Sequence, residues 1–520
     1  MPLLRAGQYA RRIVLSFPRP VGSLAPNTFE FETLPLVKPT GFREYDARWW
    51  FGHPGSSRPP DINLMGVTAL GLGLGTYLHE AGVGPDIVTA HDFRSYSSSI
   101  KTALVAGLIS AGCRVHDIGL AVSPMAYFAQ FDLDVPSVAM VTASHNENGW
   151  TGVKLGCERP VTFGPDEMAR LKELVLGGLW QTRPGGSYQV VTGMAQRYKD
   201  DLAAQPLARR LKVVVATGNG TAGAFAPDVL EAAGCEVIRL HTELDHNFPN
   251  YNPNPEDMRM LHDVADVVRA NSADIGLAFD GDGDRCGVID NDGNEIFADK
   301  VGLMLARDIA ARQSGARFVV DVKSTGLYAT DPELARLGAT TDYWKTGHSY
   351  IKRRVRETGA TVGFEKSGHY FFNAPLGRGY DDAQVSALAI CTMLADAGAR
   401  TMADLYRELP RSWGSPTMSA TCPDELKYDV ADRVRGRFEA MHAEGAMIDG
   451  HRIAELITVN GVRVVADDGS WGLVRASSNK PEIVVVVESP VSEARMRDMF
   501  RAVDTVLRES DEVGDYNQTI

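Results

Sequence analysis

The chain has 520 residues, of which 44% are hydrophobic and 23% are charged, and its formal net charge is -13 at pH 7. A chain of this length exceeds what one hydrophobic core supports, so we expect about three or four domains. The acidic balance argues against general nucleic-acid binding, and no stretch approaches the roughly 18 apolar residues that a membrane span needs. The six cysteines have neither paired nor metal-binding spacing, which predicts reduced thiols and a cytoplasmic location.

The first 40 residues differ in composition from the rest of the chain. They carry Arg5, Arg11 and Arg12 and are poor in acidic residues at their start. Their apolar run at 13–17 is shorter than the hydrophobic segment of a secretory signal. We interpret residues 1–40 as a loosely ordered arm or the product of a misplaced start codon, with a transit peptide as the less favoured alternative.

A strand-like apolar run at 138–141 leads into a loop that begins Thr142-Ala-Ser-His-Asn146. A Ser-His pair in a loop is by itself usually a simple turn. A serine at a strand end with a lysine nearby is also typical of a phosphate carrier, because the amine can supply charge or transfer a proton. Ser144 is therefore a candidate phosphorylated serine, and Lys154 is its candidate partner.

Strand and helix signals alternate along the rest of the chain, which is typical of α/β domains. Residues 164–176 are a predicted helix, because proline stands at its start and acidic residues lie in its first turn. Residues 492–508 are a second predicted helix, with one apolar face that suits core packing. The apolar run 212–216 is a predicted buried strand. The loop 217–223 that follows lacks the dinucleotide and phosphate-loop motifs, so we interpret it as a tight strand-to-helix turn.

The most informative motif is Asp280-Gly-Asp-Gly-Asp-Arg285, which follows the apolar run 275–279. Three carboxylates at alternate positions repel one another unless a hard divalent cation compensates their charge. The predicted metal ligands are Asp280, Asp282 and Asp284. A phosphate oxygen on Ser144 would add a further ligand, since Mg²⁺ is commonly held by carboxylates together with a phosphate.

A calcium loop of the EF-hand type also begins with alternating aspartates, but it needs glycine at its sixth position and glutamate at its twelfth. Here those positions are Arg285 and Asn291. The apolar run before Asp280 is typical of a buried parallel strand and not of an entry helix. Because open α/β sheets place their sites at the carboxyl ends of such strands, we favour a magnesium site over a solvated acidic turn.

The loop Gly363-Phe-Glu-Lys-Ser-Gly-His369 carries groups that suit sugar recognition. A planar carboxylate such as that of Glu365 accepts hydrogen bonds from two neighbouring hydroxyls, and Ser367 can add another. The alternative is a polar turn before an aromatic run.

The loop Arg475-Ala-Ser-Ser-Asn-Lys-Pro481 precedes a strongly apolar strand at 483–488. Arginine suits bidentate phosphate binding, and neighbouring hydroxyl and amide groups can complete an anion site. The additional polar groups are those of Ser477, Ser478 and Asn479. An ordinary polar loop is the alternative.

In order and spacing, these four motifs resemble those of the α-D-phosphohexomutases, and most of all the bacterial phosphomannomutase/phosphoglucomutase group. The resemblance covers roughly residues 41–510. It equates 142–146 with the phosphoserine loop, 280–285 with the magnesium loop, and 363–369 with the sugar-recognition loop, usually written G-E-x-S-G-H. Residues 475–481 resemble the phosphate-binding loop of the last domain.

Residues Phe42-Arg-Glu-Tyr-Asp-Ala-Arg48 resemble the opening motif of the family, which implies that Tyr45 and Arg48 lie at the active site. The closing glycine of that motif is replaced by Trp49, and residues 49–63 resemble an inserted loop before the first helix.

Two further segments, 322–326 and 345–349, match family positions that line the cleft. The resemblance implies that Lys323 and His348 contact the substrate. Phe364 stands before Glu365, where the family has a small residue.

The resemblance implies an α/β fold with three similar domains of mixed sheets and a smaller C-terminal α+β domain, around a central cleft. The sequence contains no visible repeat that would indicate this similarity. Turn-forming residues near Gly185, Gly293 and Arg411 predict the boundaries. The predicted segments are an N-terminal arm (1–40), a phosphoserine domain (41–185), a magnesium-binding domain (186–293), a sugar-recognition domain (294–410) and a C-terminal phosphate-binding domain (411–520).

The implied activity is reversible phosphoryl transfer between the 1- and 6-positions of mannose and glucose phosphates, with a phosphoserine enzyme, Mg²⁺ and a hexose 1,6-bisphosphate intermediate. Lys154 and His369 are candidates for moving the hydroxyl proton, with Arg48 close by. Arg285 and Lys154 would stabilise the charge of the transferring group. The expected partners are small hexose phosphates, without nucleic acid or membrane, and the sequence does not predict the oligomeric state.

Three alternatives remain at this point. Phosphoglucosamine mutase is the nearest, but its final loop usually resembles R-P-S-G-T-E, unlike residues 475–480 here. A magnesium-dependent sugar phosphatase commonly needs an aspartyl nucleophile and has no use for a second phosphate-holding domain. A non-catalytic sugar-phosphate binding protein would have no need of Ser144 or the three aspartates.

Overall fold

The computed structural model of the chain describes residues 17–203 and 206–520. These residues form four sheets, whose loops surround one central cleft. The first three sheets are mixed, with parallel inner strands, and the fourth is antiparallel. Among the described helices, none combines the length and the apolar character that a membrane span requires.

The described part of the N-terminal segment packs on the first domain. Helix α1 (Phe29–Thr33) precedes Leu36 and Val37, each of which is 1% exposed. The Asn63 side-chain oxygen accepts a hydrogen bond from the Leu36 N–H at 2.8 Å. The expectation of a loosely ordered arm is therefore wrong for these residues. The basic stretch before Phe17, and with it the question of a transit peptide, lies outside the described residues.

The first sheet has six strands in the order β1-β5-β4-β2-β3-β6. Its strands are β1 (Ala47–Trp50), β2 (Asp86–His91), β3 (Arg114–Leu120), β4 (Ser137–Val141), β5 (Trp150–Gly156) and β6 (Ser187–Val190). Its helices are α2 (Leu64–Glu80), α3 (Ser97–Ser110), α4 (Ser123–Asp132) and α5 (Pro165–Leu176). Helix α5 confirms the helix predicted at 164–176. Strand β6 follows Gly185, so pairing in this sheet continues beyond the position predicted as a boundary.

The second sheet has five strands in the order β11-β10-β9-β7-β8. Its strands are β7 (Lys212–Ala216), β8 (Glu236–Leu240), β9 (Ile275–Phe279), β10 (Cys286–Ile289) and β11 (Glu295–Ile296), and the neighbouring helices are α6 (Met194–Leu202), α7 (Ala226–Ala232) and α8 (Met258–Asn271). Strands β7 and β9 confirm the two predicted apolar strands. All five residues of β9 are buried, as expected for an inner parallel strand covered on both faces.

The third sheet has four strands in the order β13-β12-β14-β15. These are β12 (Arg317–Asp321), β13 (Thr340–Trp344), β14 (Val362–Phe364) and β15 (Tyr370–Phe372). The helices of this domain are α9 (Ala298–Arg312), α10 (Leu327–Thr330), α11 (Pro332–Arg336), α12 (His348–Thr358), α13 (Ala383–Asp396) and α14 (Met402–Arg407).

The same topology recurs in these three sheets. In each sheet a central strand, β2, β7 or β12, has a parallel neighbour on both sides. One of these neighbours, β4, β9 or β14, pairs on its other side with an antiparallel strand, β5, β10 or β15. The turn that leads into the antiparallel strand carries residues 142–149 between β4 and β5, 280–285 between β9 and β10, and 365–369 between β14 and β15. The shared topology that the family resemblance implied is therefore confirmed, and the three predicted site loops occupy equivalent positions in it.

The fourth domain is smaller and contains an antiparallel sheet covered by two helices. Its strands are β16 (Trp413–Gly414), β17 (Met418–Thr421), β18 (Met447–Ile448), β19 (His451–Ile457), β20 (Val462–Ala466), β21 (Trp471–Ala476) and β22 (Glu482–Ser489), and its helices are α15 (Lys427–Ala443) and α16 (Glu493–Leu507). Helix α16 confirms the last predicted helix, and its apolar face packs into the core. The turn between β21 and β22 carries the predicted phosphate-binding loop.

Residues 49–63 were expected to form an inserted loop, and this is only partly correct. Trp49 and Trp50 belong to β1, where they pair with Thr151 and Trp150 of β5. The loop proper begins at Phe51 and ends at the start of α2. Arg48 therefore lies inside a strand, next to the loop that carries Ser144.

Candidate active site

The three equivalent loops and the turn after β21 meet at a cavity of about 740 Å³. The predicted contact residues of all four domains line it. These are Tyr45, Arg48, Ser144, Lys154, Arg285, Lys323, His348, Glu365, Ser367, His369, Arg475, Ser477, Ser478 and Asn479. The three predicted metal-binding aspartates are fully buried beneath Ser144 and do not line the cavity.

Ser144 lies directly after β4 and points toward the metal loop. Its Oγ donates a hydrogen bond to Asp280 Oδ2 at 2.9 Å and lies 3.2 Å from His145 Nδ1. Its φ of +51° is in the left-handed region, which non-glycine residues adopt rarely and often at functional sites. Hydrogen bonds from the Arg94 guanidinium and to Thr142 Oγ1 hold the Ser144 backbone in this conformation. The hydroxyl is thus fixed within reach of the carboxylates.

The Asp280 carboxylate is held by its own loop. Its Oδ1 accepts hydrogen bonds from the backbone N–H groups of Asp284, at 3.1 Å, and Arg285, at 3.2 Å. Gly283 has a φ of +73°, and a Cβ at this position would lie 2.8 Å from the Val122 side chain. Glycine is therefore required for the loop to turn and pack closely against the first domain.

Two side chains of the first domain orient the other carboxylates. Asp282 Oδ2 accepts hydrogen bonds from Ser123 Oγ at 2.6 Å and from Lys154 Nζ at 2.7 Å, and Lys154 also pairs with Asp284. The Oδ1 atoms of Asp282 and Asp284 accept no hydrogen bond from any described residue. One oxygen from each of the three aspartates lies within 4.8 Å of the others. Asp282 Oδ1 has no partner in the described part of the chain, and Asp284 Oδ1 lies 3.3 Å from His369 Nε2. Three converging buried carboxylates of this kind fit a hard divalent cation such as Mg²⁺.

The charges at this site influence one another strongly. Burial, followed by the charges of Asp284 and Asp282, raises the pKa of Asp280 well above its usual range. Burial also acts to raise the pKa of Asp284, but the positive charges of Lys154 and His369 outweigh it and hold that pKa well below its usual range. Even with the neighbouring charges of Lys154 and Arg285, the pKa of Asp280 therefore stays raised, which is the situation that a bound cation relieves.

The sugar-recognition loop forms a connected set of polar groups beside the metal loop. Ser367 Oγ lies 3.2 Å from Glu365 Oε2 and 2.9 Å from His369 Nδ1. Glu365 Oε1 accepts a hydrogen bond from the Gly347 N–H at 2.5 Å. Burial acts to lower the pKa of His369, but Asp284 and Glu365 raise it to about 9. The loop thus presents a fixed carboxylate, a hydroxyl and a protonated imidazole.

Tyr45, His348 and Lys323 also line the cavity. The rings of Tyr45 and His348 pack edge to face with their centroids 4.8 Å apart. Burial lowers the pKa of His348 well below its usual value, so this imidazole is neutral. Lys323 Nζ is 3.9 Å from Asp321 Oδ2, so its ammonium group remains available to a ligand in the cavity.

Arg475 lies at the end of β21 and is only 4% exposed. Its Nε donates to Asn460 Oδ1 at 2.9 Å, and its Nη2 donates to Ser478 Oγ at 3.2 Å. Asn479 Nδ2 donates to the Tyr45 hydroxyl at 3.4 Å. The Arg475 guanidinium is therefore preorganised, with hydroxyl and amide groups around it, as a phosphate site requires.

Arg48 connects the first strand to the loop of Ser144. Its Nε donates to Asp46 Oδ2 at 2.9 Å, and its Nη1 donates to Asn146 Oδ1 at 2.6 Å. These two contacts hold the guanidinium beside the cavity, where it adds positive charge next to Ser144.

Several residues that shape this site are not among those predicted from the sequence. Asn146 orients Arg48, and Ser123 orients Asp282. Thr346 and Lys480 line the cavity. Three of them lie inside the motif segments, and this position could have indicated them: Asn146, Thr346 and Lys480. Ser123 follows β3, so only the rule that sites lie at carboxyl strand ends could have indicated it.

Four family models match consecutive parts of the chain. The alpha/beta/alpha domains I, II and III of phosphoglucomutase/phosphomannomutase match residues 40–179, 196–293 and 297–413. The C-terminal domain of phosphoglucomutase/phosphomannomutase matches residues 421–506. A phosphomannomutase/phosphoglucomutase of Pseudomonas putida is 34% identical over 463 residues, which are 88% of this chain and 94% of that protein. The chain belongs to the phosphoglucomutase/phosphomannomutase family.

Two other relatives support the same membership in this phosphohexomutase family. The phosphomannomutase/phosphoglucomutase of Pseudomonas aeruginosa is 33% identical over 483 residues, which are 91% of this chain and 98% of that protein. The crystal structure of a phosphoglucomutase/phosphomannomutase family protein from Burkholderia thailandensis is 31% identical, with a TM-score of 0.80 over 92% of this chain and 100% of the other. The fold of three α/β domains and a smaller C-terminal domain is therefore confirmed, and the chain is a phosphohexomutase of the isomerase class.

Proposed function

We propose that this phosphohexomutase interconverts the 1- and 6-phosphates of mannose and of glucose through phosphoserine 144 and a hexose 1,6-bisphosphate. The hydrogen bond of 2.9 Å from Ser144 Oγ to Asp280 carries the proposal. A phosphate ester on that oxygen would lie directly against the predicted magnesium ligands. Phosphoryl transfer depends mostly on such positioning and charge compensation.

In the first half-reaction, a hydroxyl of the sugar phosphate attacks the phosphorus of phosphoserine 144. The bond from phosphorus to Oγ breaks as the new bond to the sugar oxygen forms, and the hydroxyl proton passes to a base. Lys154 and His369 both reach the cavity and are the candidates for moving these protons. Because both are protonated at the start, one of them first gives a proton to the leaving Ser144 Oγ and then takes up the proton of the sugar hydroxyl. Arg285 and Arg48 stabilise the charge that develops on the transferring group. Mg²⁺ held by the three aspartates supplies further charge compensation when bound.

In the second half-reaction, the bisphosphate turns over, and Ser144 Oγ attacks the phosphorus of its other phosphate. The bond from that phosphorus to the sugar oxygen breaks, the sugar oxygen takes up a proton, the serine hydroxyl gives up its proton, and phosphoserine 144 forms again. Throughout, the loop after β21 holds the phosphate that is not reacting. The residues proposed for this role are Arg475, Ser477, Ser478 and Asn479. Energy from binding the non-reacting phosphate can then orient the reacting end of the sugar.

The sugar lies between this phosphate site and Ser144, against the sugar-recognition loop. The proposed contacts are Tyr45, Lys323, His348, Glu365 and Ser367. Glucose and mannose differ at one carbon only, so a loop that binds the hydroxyls common to both accepts either. The hexose 1,6-bisphosphate also serves as activator, since it can phosphorylate a Ser144 that has lost its phosphate. All six cysteines are free, in line with the cytoplasmic location that we propose.

A coupled assay with the 1-phosphates of glucose, mannose and glucosamine tests the substrate class. We expect turnover of the glucose and mannose compounds at comparable kcat/KM, and much slower turnover of the glucosamine compound. Preference for glucosamine 1-phosphate would instead identify a phosphoglucosamine mutase. Release of inorganic phosphate without isomerisation would identify a phosphatase.

Replacement of Arg475 by Lys is expected to lower kcat/KM by roughly tenfold or more. Lysine keeps the charge but loses the bidentate fork, and tenfold corresponds to about 1.4 kcal/mol of transition-state binding. The loss should be similar with mannose and glucose phosphates, because the phosphate is common to both. Steady-state kinetics with each sugar measure it.

The matched control for this experiment is Arg501→Lys, an exposed arginine of the same domain. It should leave kcat/KM unchanged. An Arg475→Lys variant impaired with only one of the two sugars would indicate that this loop distinguishes the sugars, contrary to the proposal.

A further inference from the structure

Behind the metal loop lies a buried ion pair that the proposed mechanism does not use. Lys352 Nζ and Asp381 Oδ1 are 2.7 Å apart, and both side chains are 0% exposed. Transfer of two charges from water to the protein interior costs free energy that their attraction often fails to recover. A pair of this kind therefore calls for an explanation other than stability.

The position of the ion pair indicates a role other than stability. Lys352 lies one turn after His348 in α12, and Asp381 lies just before α13. Asp381 Oδ2 is 3.8 Å from His369 Nε2, and Asp284 Oδ1 is 3.3 Å from the same nitrogen. Arg285 Nε is also 3.3 Å from this nitrogen. The Nε2 edge of His369 thus lies between Asp284 and Arg285 of the metal loop and a carboxylate of its own domain.

Contacts to two other domains hold Asp381 in this place. The Lys352 ammonium lies 4.1 Å from the ring centroid of Tyr127, which belongs to α4 of the first domain. The Ala383 N–H donates to the Gly283 carbonyl of the metal loop at 3.2 Å. Neither Asp381 oxygen accepts a regular hydrogen bond within the described ranges. The carboxylate is therefore oriented by charge, with one oxygen toward Lys352 and the other toward His369.

Asp284, His369 and Asp381 also have the spacing of a metal site. However, the ammonium groups of Lys154 and Lys352 already pair with these two carboxylates. A cation there would also need His369 Nε2 as a ligand, and this nitrogen lies 3.3 Å from Nε of the Arg285 guanidinium. The charges therefore favour an orienting role over a second metal site.

We propose that Asp381 is a positioning residue for His369 and that Lys352 fixes Asp381 in place. Glu365 and Ser367 contact the Nδ1 edge of the ring, and Asp381 with Asp284 faces the Nε2 edge, so the imidazole orientation is defined from both sides. Without Asp381, only residues of the metal loop would contact the Nε2 edge of the His369 imidazole. The inference rests on the proposed function, because it requires that His369 contacts the sugar phosphate.

Three variants separate positioning from stability: Asp381→Asn, Lys352→Met and the double replacement. Each single change leaves one buried charge unpaired, so its melting temperature should fall. For Asp381→Asn we expect kcat to fall roughly 10- to 100-fold, the usual scale for partners that orient a functional histidine, with KM changed less than about twofold. The double variant removes both charges and should recover its melting temperature but not its kcat.

A buried pair outside the site provides the matched control. Lys101 and Asp117 are paired and buried in the first domain, and Lys101→Met with Asp117→Asn should leave kcat within about twofold of the wild type. Recovery of kcat together with melting temperature in the Lys352→Met, Asp381→Asn double variant would overturn the positioning role. Equal loss of kcat in the control pair would overturn it as well. A wild type without mutase turnover would refute the proposed function itself, and the positioning role with it.

Discussion

Replacement of Ser144 by Ala is expected to reduce mutase turnover by a factor on the order of 10⁴ or more, because removal of a nucleophile eliminates the covalent route. The fold should persist, since the side chain loses one hydrogen bond, to Asp280, worth about 1 kcal/mol. The coupled assay with glucose 1-phosphate measures turnover, and circular dichroism checks the fold.

The wild type and the Ser144→Ala variant also test the phosphorylation site. Intact-mass spectrometry should find one phosphate on the active wild type and none on Ser144→Ala. Ser137→Ala is the matched control, because Ser137 is a buried serine of β4, the strand that precedes Ser144, and its hydroxyl has no partner among the residues described. It should retain both phosphate and turnover. Full activity of Ser144→Ala would contradict the assignment.

The second large effect is expected for Asp282→Asn, which should lower Mg²⁺ affinity and turnover together, by roughly 100-fold or more. A neutral amide cannot offer the cation a charged ligand, and it also loses the ion pair with Lys154. Turnover measured as a function of Mg²⁺ concentration checks the prediction.

Treatment of the wild type with EDTA should abolish turnover, and added Mg²⁺ should restore it. Asp292→Asn is the matched control, because Asp292 lies in the turn after β10 and pairs with Arg407. This control should respond to Mg²⁺ like the wild type. Wild-type activity that persists in EDTA would remove the basis for the metal site.

The parts of the site that were predictable from the sequence depend on local patterns. The apolar run 275–279 had to be an inner strand, and the alternating aspartates after it had to lie at its carboxyl end. The same reasoning applied to Ser144 after β4. The positions of Glu365 and His369 came from the family resemblance and from the chemistry of a carboxylate facing hydroxyls.

The parts that were not predictable depend on contacts between domains. Ser123 and Lys154 orient the metal loop from the first domain, and Asp381 approaches His369 from a segment that carries no motif. The interpretation of residues 1–40 as an arm failed where Leu36 and Val37 pack against the first domain. Local sequence patterns do not specify these contacts between domains, because tertiary packing determines them.

The three equivalent loops have a consequence for folding. Each of these loops is a turn of its own sheet, yet the site combines Ser144 of the first domain, Asp280 of the second and His369 of the third. Large proteins commonly fold domain by domain, and domain docking follows as a separate step. An intermediate with all its helices and strands in place but with undocked domains would lack activity. Catalytic competence in this chain therefore requires docked domains and reports on docking, not on secondary structure.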